Sequence, residues 1–191
     1  MRCHECKYEY RCGEGLNCGG FSREEMTARY SPGLRPLFDA AAEVEAEGYC
    51  RLTRIEEFAL LAKKLGLRKI GLAFCIGSAE EAAVIAGFLE RRGFEVSSAC
   101  CKMGALSKEE LGHPRIHGGA DESSCNPLGQ AAQLGLDGVG LIGSVGLCVG
   151  HDAILGLGSS IPVVTLIAKD RVTGHNPAAV VYNRYLRRRL E

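Results

Sequence analysis

The sequence lacks net charge: 23 lysines and arginines offset 23 aspartates and glutamates. Without a broad basic surface, nucleic acid is not an expected partner. It lacks any long uncharged apolar run, so no membrane segment is expected. It opens without a cationic, apolar, small-residue leader, which predicts a cytoplasmic protein. Paired catalytic carboxylates and a Ser/His/Asp arrangement are not evident. Residues 70–82, "IGLAFCIGSAEEA", stand where a phosphate loop would, yet miss both the G-x-G-x-x-G spacing and the P-loop lysine, so nucleotide binding is weakly supported. Tryptophan is absent too, which excludes nothing.

What is present is otherwise ordinary for a globular protein, with 46% hydrophobic and 24% charged residues. A chain of 191 residues can build one substantial core and a small appendage. The departure is ten cysteines. In a secreted mini-protein they would imply a disulfide framework. In a larger chain without a leader they point to metal binding or thiol chemistry.

Residues 1–21 are rich in cysteine and glycine and too poor in apolar residues to form a core, so something else must hold them. Residues 22–66 form a helical region expected to pack on the core, with helices over 35–48 and 53–65. Thr53 and Glu56 form a capping-box signature at the start of the second. From residue 67 strands alternate with helices: strands at 69–75, 94–101, 139–148 and 162–170, and helices at 78–93, 126–136, near 151–157 and 176–191. Ser78, Asn126 and Asn176 read as N-caps. The long polar loop from 102 to about 124 reads as functional. Its His113 and His117 read as surface residues. This alternation predicts an α/β fold: a three-layer, Rossmann-like domain with a mainly parallel sheet, preceded by the Cys-rich segment and helices.

Open parallel sheets bind ligands beyond the carboxyl ends of their strands. Cys75 ends the first strand, Cys100 and Cys101 the second and Cys148 the third, while Cys125 directly precedes a helix. Five cysteines therefore fall at one rim, although any one of them is as readily a small core residue. Cys125 sits where a helix dipole favours a thiolate, and His175 occupies the equivalent place in "GHNP". His151 and Asp152 follow Cys148. Asp152 either orients the imidazole or caps the next helix. Lys169 and Arg171, with Asp170 between them, follow the fourth strand and are candidates to bind an anionic ligand or cofactor, or to balance thiolate charge. An internal ion pair is the plainer alternative.

Cys3, Cys6, Cys12 and Cys18 are spaced C-x2-C-x5-C-x5-C, a strong signal for a thiolate metal site, with two disulfides the less favoured alternative. The spacing does not choose between zinc and an iron–sulfur cluster.

The motifs "FCIG" (74–77), "CCK" (100–102), "CNPLGQA" (125–131), "GLCVGHD" (146–152) and "KDRVTGHNP" (169–177), with the opening cysteines, resemble the predicted metal-binding family called domain of unknown function 1847. The resemblance runs through almost the whole chain and implies metal binding without implying a reaction.

Three functions are compatible with these residues. The first is an iron–sulfur redox protein or enzyme, with a 4Fe–4S cluster as the expected cofactor and ligands drawn from Cys3, Cys6, Cys12 and Cys18 and from Cys75, Cys101, Cys125 and Cys148, with Cys100 as a further candidate. Its partner would be a redox protein or a small-molecule ligand. The second is a zinc-stabilised module that senses or stores a ligand. The third is thiol catalysis by Cys125 or Cys148, with His151 or His175 as base.

Overall fold

The computed structural model describes residues 2–118 and 122–191. Residues 119–121 of the long loop lie outside that description. The chain divides into two units, Met1–Glu43 and Val44–Glu191.

In the first unit, single 3-10 turns at Cys3–Glu5 and Arg11–Glu14 carry the cysteine-rich segment. A five-residue helix, α1 (Arg23–Thr27), follows, closed by a Ser22–Glu25 capping box. No residue from 2 to 36 is buried, so this stretch has no apolar core of its own. Helix α2 (Arg35–Gly48) begins in this unit and ends in the next.

The second unit starts from α3 (Arg54–Lys64), whose Thr53 and Glu56 form both bonds of the expected capping box. Four strands follow: β1 (Lys69–Phe74), β2 (Glu95–Cys100), β3 (Ile142–Leu147) and β4 (Val163–Ala168). All pair in parallel, in the order β2-β1-β3-β4. The crossovers are α4 (Ala79–Glu90), α5 (Pro127–Leu136) and α6 (Val149–Gly158). Alternation along β1 sends Ile70 and Leu72 to one face and Ala73 to the other. The first face packs Phe58, Ala59 and Ala62 of α3 with Ala82, Ile85 and Leu89 of α4. The second packs Ala131 and Leu134 of α5 with Leu155 of α6. Helices on both faces of a parallel sheet make the expected three-layer α/β fold. Among the described residues, no helix is long and apolar enough to cross a membrane.

Three local expectations change. The C-terminal helix is not continuous: α7 (Ala178–Tyr182), with Pro177 rather than Asn176 at its N-cap, stops at Asn183, and α8 (Arg184–Arg187) starts there. Asn183 is extended, and its side-chain oxygen accepts the amides of Tyr185 and Leu186, so a local cap displaces the helical continuation. Ser78 stands at the N-cap of α4 but its hydroxyl caps nothing, because it accepts from Lys169 Nζ at 2.9 Å. Strand β3 starts at Ile142 rather than 139, after a left-handed turn at Gly138.

Near its end β3 is irregular. Its register against β4 shifts on either side of Val145, and Gly146 takes φ +63°. Ser144 and Leu147 thereby both escape the α3–α4 face, Leu147 joining the α5–α6 core although three residues separate them. An extra residue in a strand reverses side-chain parity in this way, and it aims the chain into Cys148.

Candidate functional site

In this strand order the connections leaving β1 and β3 diverge, so a crevice opens beyond their carboxyl ends. A cleft of about 980 Å³ occupies that place. It is lined from the turn after β1, the segment after β2, the start of α5, the start of α6 and the loop after β4.

Backbone hydrogen bonds fix the thiols there. Cys75 donates its amide to Val145 of β3 at 3.0 Å, and its carbonyl accepts from Ser78 at 2.7 Å. Cys101 donates to Phe74 at 2.8 Å and accepts from Asn126 at 2.8 Å. The second of these bonds draws Cys125 alongside, leaving 3.8 Å between the sulfurs of Cys125 and Cys101. Asn126 caps α5 as expected, accepting from Gly129 at 2.8 Å. Cys148 is the N-cap residue of α6. Cys75, Cys101, Cys125 and Cys148 all line the cleft, whereas Cys100 packs against the core and does not. Cys50 belongs to neither cysteine set and is exposed.

Each cleft sulfur meets a donor or a cation. The Ile76 amide donates to Cys101 Sγ at 3.4 Å, Lys102 Nζ to Cys125 Sγ at 3.5 Å and Arg171 Nη2 to Cys148 Sγ at 3.3 Å. The Cys101 thiol beside it lowers the pKa of Cys75, with help from the Gly77 amide and Lys169. Cys101, bonded to Cys75 and buried, is pushed up. The hydrogen bond between the two thiols thus lowers the pKa of Cys75 and raises that of Cys101.

The candidate histidines separate by environment. His151 is half-buried on the cleft wall, but Asp152 does not orient it. Nor does the Asp152 side chain cap α6. Its carboxylate accepts from Ser144 Oγ at 2.5 Å and Thr165 Oγ1 at 2.9 Å, pinning α6 to the sheet. His175, with φ +63°, lines the cleft. Its Nδ1 accepts the Asp170 amide at 3.0 Å. His113 and His117 are exposed, as surface residues should be, yet both line the cleft. His113 Nδ1 lies 2.9 Å from Ser124 Oγ. Lys169 and Arg171 line the cleft as well.

Gln130 is a supporting residue whose role the sequence did not reveal. Fully buried on α5, it donates to the Ala99 carbonyl at 2.7 Å and the Phe74 carbonyl at 3.1 Å. It thus ties together the strand ends that deliver Cys75 and Cys101. Leucine at this position would leave those carbonyls without the amide, and the expected loss is about 2 kcal/mol in urea unfolding.

In the opening segment Cys3, Cys6 and Cys18 line a hollow of about 390 Å³, while Cys12 turns its sulfur toward the Tyr10 carbonyl at 3.5 Å. Glu9 and Tyr10 are both left-handed, and this brings the Tyr10 amide to within 3.4 Å of Cys6 Sγ as a donor. Among the described residues, no three His, Cys, Asp or Glu side chains gather as a single-ion site.

A protein of Methanocaldococcus jannaschii, described as uncharacterized, is 36% identical to this chain over 191 residues, which is 100% of this chain and 98% of the relative. No solved structure matches the chain. Residues 20–166 match the model of a family described as protein of unknown function, DUF1847. That span includes the four cleft cysteines and stops short of both the opening cysteines and the loop after β4, which the archaeal relative does cover. With most of its length inside the family model and a relative aligned end to end, the chain belongs to the DUF1847 family.

Proposed function

We propose that this protein is an iron–sulfur redox protein of the cytoplasm, with Cys75, Cys101, Cys125 and Cys148 as ligands in the cleft and Cys3, Cys6, Cys12 and Cys18 as ligands of a second centre. One observation carries the reading: four thiols from separate chain segments line one cleft, and each sulfur meets a backbone amide or a cation. Thiolates are what iron ligates, and N–H donors to ligand sulfur tune cluster potentials. The chemistry such a group supplies when bound is one-electron transfer.

This chain's own residues would hold Lys102, Lys169 and Arg171 against the ligand sulfurs and offset their negative charge. The opening segment supports the second centre differently. It buries nothing between residues 2 and 36, and segments of that kind are held by metal or disulfides. The redox partner would be a small-molecule ligand or another electron-transfer protein.

The test is iron and acid-labile sulfide content, with an absorption spectrum, on protein purified without oxygen. Brown protein with more than about four irons per chain is expected, with part of the iron lost in Cys125→Ser and a different part in Cys6→Ser. Colourless protein with about one zinc would overturn the redox reading and leave a structural zinc at the N-terminus.

A further inference from the structure

The loop after β4, residues 169–175, is built with more care than a connection needs. The His175 amide donates to the Asp170 carbonyl at 2.8 Å, and the Asp170 amide donates back to His175 Nδ1 at 3.0 Å. Asp170 Oδ1 accepts the amides of Val172 and Thr173 at 2.9 and 3.1 Å. Gly174 and His175 are both left-handed, at φ +62° and +63°. For histidine that conformation is costly, and it persists here because the ring of hydrogen bonds imposes it.

The consequence concerns the imidazole. A backbone amide can only donate, so Nδ1 holds a lone pair and the ring proton resides on Nε2. The Nδ1 lone pair is occupied and Nε2 carries hydrogen. His175 in this state is therefore neither a ready metal ligand nor a base, but a fixed N–H donor on the cleft wall. Lys169 and Arg171, from the same seven residues, line the same cleft. Lys169 Nζ donates to Ser78 Oγ at 2.9 Å and also lies beside the Cys75 sulfur, and Arg171 Nη2 donates to Cys148 Sγ at 3.3 Å. The two carboxylates of the cleft wall are already engaged. Glu122 accepts from Lys108 at 3.2 Å and from the Ile116 amide at 2.7 Å, and Asp170 accepts from its own loop. Two cations and one neutral donor thus line one cleft in which no free carboxylate competes and the cations' other neighbours are thiol sulfurs. Gly77 stands opposite, where even a Cβ would lie 3.7 Å from Lys169 Nζ, so ligand atoms can approach the ammonium closely.

We propose that this loop is an oxyanion subsite, in which Lys169, Arg171 and His175 Nε2–H hold the carboxylate or phosphate group of a small ligand bound beside the thiols. The subsite gives the cleft a substrate class and stands whether or not the cleft carries iron.

The test is calorimetric titration of the full chain, as purified, with inorganic phosphate and separately with succinate. Saturable binding of one of them is expected, and which one binds tells phosphate from carboxylate recognition. Lys169→Ala and Arg171→Ala should each weaken it about tenfold or more, Arg171→Lys less than Arg171→Ala, and His175→Asn about fivefold. Asparagine tolerates the left-handed backbone but lacks the Nε2–H. Arg188→Ala, equal in charge loss and just beyond the end of α8, should change nothing. Circular dichroism identifies any variant that fails to fold, and Arg171→Lys keeps the charge if Arg171→Ala does not survive. Wild-type protein that binds neither anion at about 20 mM would overturn the subsite. So would Arg188→Ala weakening binding as much as Arg171→Ala. Iron measured on the same samples separates the two proposals: iron-free protein that binds phosphate sinks the redox reading alone.

Discussion

Asp152→Ala is expected to destabilise the protein by about 3–4 kcal/mol, in unfolding by urea or heat. The carboxylate is the shared acceptor for Ser144 on β3 and Thr165 on β4, and Ser144 is fully buried. Alanine removes both bonds at once and strands the buried Ser144 hydroxyl and the half-buried Thr165 hydroxyl, at about 1–3 kcal/mol for a buried group. The cost therefore arises from groups left behind rather than from the carboxylate itself, and this can be tested. Making Ser144→Ala and Thr165→Val alongside Asp152→Ala should recover most of the stability. A triple variant no more stable than the single one would mean that Asp152 acts through something other than these hydroxyls. Because the same carboxylate anchors α6 directly behind Cys148, the single variant should also expose the Cys148 thiol to faster alkylation.

Gly146→Ala should cost about 3 kcal/mol by the same measurement. Two separate effects add. The left-handed backbone at φ +63° disfavours any Cβ by about 1–2 kcal/mol. An added Cβ would also stand 2.2 Å from Ser78 Oγ and 2.8 Å from Ser78 Cβ, an overlap of the kind that costs about 1–3 kcal/mol. The two parts can be separated. Ser78→Gly in the same chain removes the overlap and leaves the backbone penalty, so the double variant should regain roughly half the loss. Full recovery would show that the left-handed conformation carries no cost. Moving Ser78 also takes away the hydroxyl on which Lys169 rests, so Gly146→Ala should weaken anion binding even in protein that remains folded.

The strands and helices were readable because burial leaves a period in the sequence, and because Thr53 and Asn126 carry cap chemistry that acts within three residues of chain. Placing the cleft needed only the rule that parallel strands share one end, and Cys75, Cys101, Cys125 and Cys148 fell where it put them. What escaped depends on partners distant in sequence. Nothing local to Asp152 says that its hydroxyl partners lie on β3 and β4. The strand around Gly146 holds two glycines, Gly143 and Gly146, with no mark of which one turns left-handed. Gln130 reads as a helix residue until the strand ends it holds are in view. At Asn183 the local signal was present but outweighed by helical periodicity on both sides. His175 was correctly placed at the rim, while its role as donor follows only from the amide that faces its ring.

The pairing of β1 with β3 joins residues roughly seventy apart in the chain, with β2 and two helices formed from what lies between. Loop closure of that length comes late and slowly in folding. Cys148 consequently does not join Cys75 and Cys101 until β1 and β3 have paired, whereas Cys3, Cys6, Cys12 and Cys18 lie within a single short stretch. Of the two cysteine sets, only the cleft set depends on long-range strand pairing for its assembly, so its completion marks a folded second unit.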